Sequence, residues 1–270
     1  MDANWKLENW ELKGCCQRQQ IIFLALVGVF MLVILALWRT FLLTPFKLIT
    51  VFLHELSHAI ACLLTCGKVE GIKVHANEGG VTQTRGGIYW IILPAGYLGS
   101  SLWGLIFILS STKPLTAMIA AGCLLLSLFI VLFIAKNWTL RGLCIGFIAF
   151  IAVIWWLQIE TSFHILSYVI LFIGVMNSLF SVYDIYDDLI SRRVNSSDAE
   201  RFAELCPCCN GVGWGILCES IGKFFFQISD AVFSKVNIGG LRKPTSSLNI
   251  LSIFTYSEFV SSLFFWSEDG

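Results

Sequence analysis

Apolar residues dominate six stretches of the chain, near 21 to 38, 42 to 66, 88 to 110, 115 to 135, 142 to 158 and 162 to 183. Each comes close to the roughly 20 residues a helix needs to cross a bilayer core of about 30 Å, so the pattern predicts six transmembrane helices. Between the second and third stretches the pattern changes. Ile72, Val74 and Ala76 lead into Asn77, Glu78, Gly79 and Gly80, and Val81, Thr82, Gln83 and Thr84 follow. Loose alternation on either side of a turn sequence predicts a small hairpin within Gly67 to Gly87. After Asp184 the chain turns polar through Ser191, Arg192, Arg193, Ser196, Ser197 and Asp198. Three parts are therefore expected: a polar segment over 1–20, a six-helix membrane core over 21–190, and a cytoplasmic or interfacial region over 191–270. In the last part, 221–232 suits a helix lying in the membrane interface. Glu258 and many hydroxyl residues argue against a seventh span at 248–266.

Composition supports lipid as the solvent. Hydrophobic residues make up 57% of the 270 and charged residues 13%, against about 25% charged in soluble domains. The fold class expected is an all-α membrane protein. Net charge is zero, which excludes an electrostatic nucleic-acid binder. Ten cysteines are scattered, several within apolar segments, and are read as reduced thiols rather than a secreted disulfide framework. Cys206, Cys208, Cys209 and Cys218 fit no standard zinc spacing, and acylation suits them and Cys15–Cys16 equally. Charge also orients the six spans. Lys6, Lys13, Arg18, Lys68, Lys73, Arg85, Lys136, Arg141, Arg192, Arg193 and Arg201 fall on one side of an alternating six-span arrangement, and only Arg39 and Lys113 on the other. The positive-inside rule places both termini and the hairpin on the cytoplasmic or equivalent side.

The second apolar stretch contains His54, Glu55, Leu56, Ser57 and His58. Residues four apart share a helix face, with Cβ atoms about 5 to 6 Å apart, so both imidazoles can reach one ion. In this spacing two histidines bind Zn²⁺ and the intervening glutamate serves as general base. A charged residue at a membrane-helix centre costs about 2.5 to 3.5 kcal/mol on insertion scales, which makes Glu55 a functional residue by default. The alternative for these polar groups is helix pairing through hydrogen bonds without metal.

A catalytic zinc needs a third protein ligand and one open position. His164 lies at the wrong end of the last span, and His75 lies in the hairpin loop. Asp184, Asp187 and Asp188 cluster where the last span leaves lipid and share a helix face; Asp184, the deepest, is favoured. Asn177, two turns deeper, is a candidate for substrate or oxyanion contact, with an interhelical hydrogen bond as its other reading. Gly96, Ser100 and Gly104, at i, i+4 and i+8, leave one face of the third helix bare for close packing.

Together these features resemble the site-2 protease family of intramembrane zinc metalloproteases, in its short branch without a PDZ domain. The resemblance covers most of 20–205. It rests on His54 to His58, the Gly79-Gly80-Val81-Thr82 segment, the run Ala95 to Ser100, and the stretch Asn177 to Asp184. Phe180 and Ile185 stand where better-studied members carry proline and glycine. The resemblance implies Asp184 as the third zinc ligand. It also implies hydrolysis of peptide bonds in or near a transmembrane segment of another membrane protein, in the bilayer. Zinc would polarise the scissile carbonyl while Glu55 moves a proton from water to the leaving amine. A hairpin beside such a site offers a strand edge on which substrate can lie extended.

The alternatives are a non-catalytic fold relative binding partner helices or metal, and a transporter. A transporter would spread polar residues over several helices, whereas here they gather on two. A glutamate third ligand is disfavoured because Glu200 and Glu204 lie in the polar segment.

Overall fold

The computed structural model describes residues 18–75, 79–161, 163–186 and 198–205. The expected interfacial helix at 221–232, the segment 248–266, Asp187, Asp188 and the cysteines at 15, 16, 206, 208, 209 and 218 lie outside these residues.

Six long helices stand where the apolar stretches predict them: α1 Arg18–Leu37, α2 Thr44–Leu64, α3 Tyr89–Ser110, α4 Pro114–Ile134, α5 Trp138–Glu160 and α6 Ile165–Tyr186. The protein is an all-α membrane protein, mostly helical, with one small hairpin. Four segments, Phe41–Leu64 (including α2), α3, α4 and α5, are long and apolar enough to cross a bilayer; α1 and α6 carry shorter described apolar runs, Ala25–Leu37 and Ile165–Phe180. Pro45 sits in the first turn of α2, where its missing N–H costs nothing and its fixed φ suits the start of a helix. Pro114 opens α4 in the same way.

Between α2 and α3 the chain forms the expected hairpin, β1 Lys68–Val74 and β2 Gly80–Arg85. The strands pair antiparallel, with Ile72 opposite Thr82 and Val74 opposite Gly80. The outer side of β1 is closed by the α4–α5 link: Lys136 N–H donates to the Ile72 carbonyl at 3.1 Å, and the Asn137 side chain exchanges hydrogen bonds with the Val74 backbone. Among the described residues β2 pairs only with β1. Side chains alternate along a strand, so Gly80 and Thr82 face the same way, toward α2.

α3 and α6 pack tightly because small residues meet across them. A Cβ on Gly104 would run into Ser178 and the Gly174 carbonyl, and one on Gly174 would meet the Ile108 and Gly104 backbones. Farther along α3, the fully buried Asn177 of α6 donates its amide to the Ser100 carbonyl. The bare face expected on α3 is thus divided: Ser100 and Gly104 receive α6, while Gly96 faces α2.

α1 lies along α6. Phe30 meets Phe172 edge-on at 5.6 Å, and Trp38 meets Phe180 at 6.3 Å. Both pairs step eight residues along their helices, about 12 Å, so the two helices run in the same sense. Phe46 of α2 also touches Phe172, at 4.9 Å. Lys47, next to Phe46, reaches back to the Trp38 ring at 4.7 Å, so the start of α2 stays beside the end of α1. Strict alternation of six spans would have set α1 antiparallel to α6. An eight-residue amphipathic helix, α7 Asp198–Leu205, is the next described element after α6. It packs on α3, with Phe202 buried and its ring edge-on to Trp90 at 5.3 Å.

Candidate metal centre

His54 and His58 lie one turn apart on α2, and both are buried. Their Nε2 atoms are 3.1 Å apart. A single carboxylate oxygen, Oδ2 of Asp198 at the start of α7, sits 3.1 Å from His54 Nε2 and 2.8 Å from His58 Nε2. Among the described residues this is the group that can hold a metal ion. Asp198 is the more open member, with its side chain 21% exposed.

The proton positions decide what this cluster can bind. His58 Nδ1 lies 2.7 Å from the Ile92 carbonyl of α3. A carbonyl only accepts, so Nδ1 carries the proton, and in the neutral ring Nε2 is left with its lone pair. That lone pair faces a carboxylate oxygen and a second imidazole nitrogen. Either a proton on an imidazole or a metal ion among the three atoms relieves the repulsion between these lone pairs, and the three can hold an ion. Nitrogen and oxygen ligands bind zinc at about 2.0 to 2.2 Å, which sets tetrahedral ligand–ligand separations near about 3.3 Å; the observed 2.8 to 3.1 Å triangle is slightly contracted from that. The donor set fits a metal ion, and the Ile92 contact is the outer hydrogen bond that orients metal-binding histidines. Burial works to raise the Asp198 carboxyl, but when the imidazoles are protonated the His58 charge and the hydrogen bonds from His54 and His58 outweigh it and hold the group well below the usual carboxylate range.

Backbone closeness on α3 makes room for the pair. A Cβ on Gly96 would collide with the Nε2 atoms of both histidines, and one on Gly99 with the Ser57 side chain. Ser57 donates to the Leu53 carbonyl at 2.8 Å and accepts from Trp103 Nε1 at 3.1 Å, tying α2 to α3 within the motif. Tyr97 stands edge-on to His54 at 5.2 Å. Glu55 is buried beside the hairpin. The Thr82 hydroxyl lies 2.6 Å from Glu55 Oε2 and 3.0 Å from the Glu55 carbonyl.

His54, Glu55 and His58 thus lie on one stretch of α2, and the carboxylate beside the two histidines is that of Asp198. Asp184, expected there, stands on the last turn of α6, and its side chain lies outside the described ones. Position along the chain points away from Asp198, because it follows the polar run Ser191 to Ser197 that marks where the chain leaves lipid. The link from Tyr186 to Asp198 can extend roughly 40 Å, ample to return to the site. A signal was present: Asp198, Phe202 and Leu205 share i, i+4, i+7 spacing, which marks one helix face. The site draws on residues from both sides of the expected boundary at 190. His75 and His164 are exposed.

The Peptidase M50B-like family model matches residues 27–227, a span that holds α2 to α7 entire, Asp198 included. No curated protein and no solved structure matches the chain. On that match over most of its length, the chain belongs to the Peptidase M50B-like family, within the site-2 protease group that its motifs resemble.

Proposed function

We propose that the protein is an intramembrane zinc metalloprotease that hydrolyses peptide bonds in or near transmembrane segments of membrane-protein substrates. His54, His58 and Asp198 hold the zinc, and Glu55 is the general base. The observation that carries this reading is the convergence of three lone-pair atoms within 3.1 Å of one another. Asp198 takes the place expected for Asp184. Zinc bound by these three supplies a Lewis acid and a water of lowered pKa. The protein's own part is to fix the imidazoles through Ile92 and Gly96, and to keep Glu55 dry beside them. Glu55 takes a proton from water and delivers it to the leaving amine.

Asn177, expected as a substrate or oxyanion contact, we place instead in helix pairing, since its amide is engaged by Ser100. The side of β2 away from β1, which pairs with no strand among the described residues, serves as the edge on which substrate lies extended, with its alternate side chains on either face. The metal face lies on the cytoplasmic or equivalent side. Lys68, Lys73, Arg85, Lys136, Arg141 and Arg201 support that side, since all fall at the hairpin end of the helices. The pairing of α1 with α6 in one sense supports the opposite side for Arg18. The six helices form the core proposed for 21–190, completed by α7.

The decisive experiment measures bound zinc and cleavage of a transmembrane substrate for wild type, Glu55→Gln, Asp198→Ala and Asp184→Ala, each purified in detergent. Zinc in wild type and Glu55→Gln, with cleavage only in wild type, is the expected result. Asp198→Ala should lose both, and Asp184→Ala should keep zinc. Absence of zinc from wild type and Glu55→Gln alike overturns the assignment; zinc without cleavage in wild type leaves a metal-binding, non-catalytic protein.

A further inference from the structure

Glu55 is approached by β2 at two points. Thr82 Oγ1 sits 2.6 Å from Oε2 of the carboxylate and 3.0 Å from the Glu55 carbonyl. Gly80, two residues earlier on the same strand face, lies so close that a Cβ there would meet Oε1 and the side-chain carbons of Glu55. A glutamate side chain has three rotatable bonds, and in a buried site each one left free dilutes the geometry in which proton transfer can occur. Here one oxygen is tied by a hydroxyl whose own position is set by the strand. The other, Oε1, lies against Gly80, whose missing side chain leaves room for it.

We infer that Thr82 is a positioning residue for Glu55, so that strand β2 and not α2 alone sets the orientation of the general base. Thr82 touches neither histidine through any hydrogen bond described, so its contribution falls on the base and not on the metal. Ile72 opposite Thr82 is fully buried, and the α4–α5 link closes the far side of β1. The strand that holds Thr82 is therefore anchored from behind. Gly80 is the companion requirement: it admits the strand to within contact of Glu55. The inference rests on the protease reading, with Glu55 as its base.

The test compares Thr82→Val, which keeps the shape and removes the hydroxyl, with Thr82→Ser, which keeps the hydroxyl, in detergent-purified full-length protein. Zinc content, kcat and KM for a transmembrane substrate are measured for both variants, for wild type and for the double variant Glu55→Gln/Thr82→Val. Thr82→Val should bind zinc as wild type does, with kcat lower by roughly 10- to 100-fold and KM little changed. Thr82→Ser should restore most of the rate, and the double variant should be no slower than Glu55→Gln alone. Equal kcat in Thr82→Val and wild type overturns the inference while leaving the protease reading intact. So does zinc loss in Thr82→Val, which would make the threonine a support of the metal site, or failure of serine to rescue. Should Thr82→Val fail to fold, Thr82→Ala against Thr82→Ser decides by the same criteria. A wild type that binds zinc and cleaves nothing removes the protease reading, and this inference with it.

Discussion

At the residue scale, Gly96 tolerates no side chain. Its Cα faces the Nε2 atoms of both histidines, and the added methyl of Gly96→Ala has nowhere to go that does not displace an imidazole or push α3 away from α2. Zinc affinity of Gly96→Ala should fall by at least about tenfold, read by competition with a chromophoric chelator, because small displacements of metal ligands and their supports cost that much. The helix itself should persist, since alanine is a better helix former than glycine. Far-UV circular dichroism should therefore be unchanged. His54 and His58 differ in what surrounds them: the proton of His58 is held at Nδ1 by a backbone carbonyl that no side-chain substitution removes. Asp198→Asn is the informative change at the third position. It retains the shape and one oxygen but loses the charge, and it should bind zinc more weakly than wild type and more strongly than Asp198→Ala in the same competition assay.

At the element scale, α7 contributes the proposed ligand Asp198 from a helix of eight residues, too short to be stable by itself. Its docking depends on Phe202 against Trp90 of α3 and on the charge of Asp198 against the histidine pair. Phe202→Ala removes the apolar anchor without touching a ligand. Zinc should then bind roughly 10- to 100-fold more weakly and dissociate faster, and Phe202→Leu should recover part of the loss. Unchanged zinc affinity in Phe202→Ala would show that the ligand arrives by some other attachment. The hairpin is the opposite case. It is closed on one side by Lys136 and Asn137, and among the described residues β2 pairs with no strand but β1, as a strand must if it is to accept a further strand.

At the scale of the whole molecule, a metal held as proposed by α2 and α7 would bridge the second span and the segment after the last. Anything that binds only the folded state stabilises it by mass action. Removal of zinc by a chelator should thus lower the detergent Tm of wild type and Glu55→Gln alike, and leave Asp198→Ala nearly unmoved. Orientation is testable at the same scale. α1 and α6 run in one sense, so a tag placed before Arg18 should be protected from protease in sealed vesicles whose outer face exposes the Lys68–Arg85 hairpin. The sequence by itself determined the membrane class, six helices close to their final bounds, the hairpin and the triplet His54, Glu55 and His58. These depend on runs of apolar residues and on spacing within a turn or two, which are local properties of the chain. Three features were decided by tertiary structure alone: the sense in which α1 lies on α6, the engagement of Asn177 by Ser100, and the arrival of Asp198 at the histidines. Each joins residues far apart along the chain. Hydrophobic periodicity records which face of a helix is buried and carries no information about which distant segment will bury it.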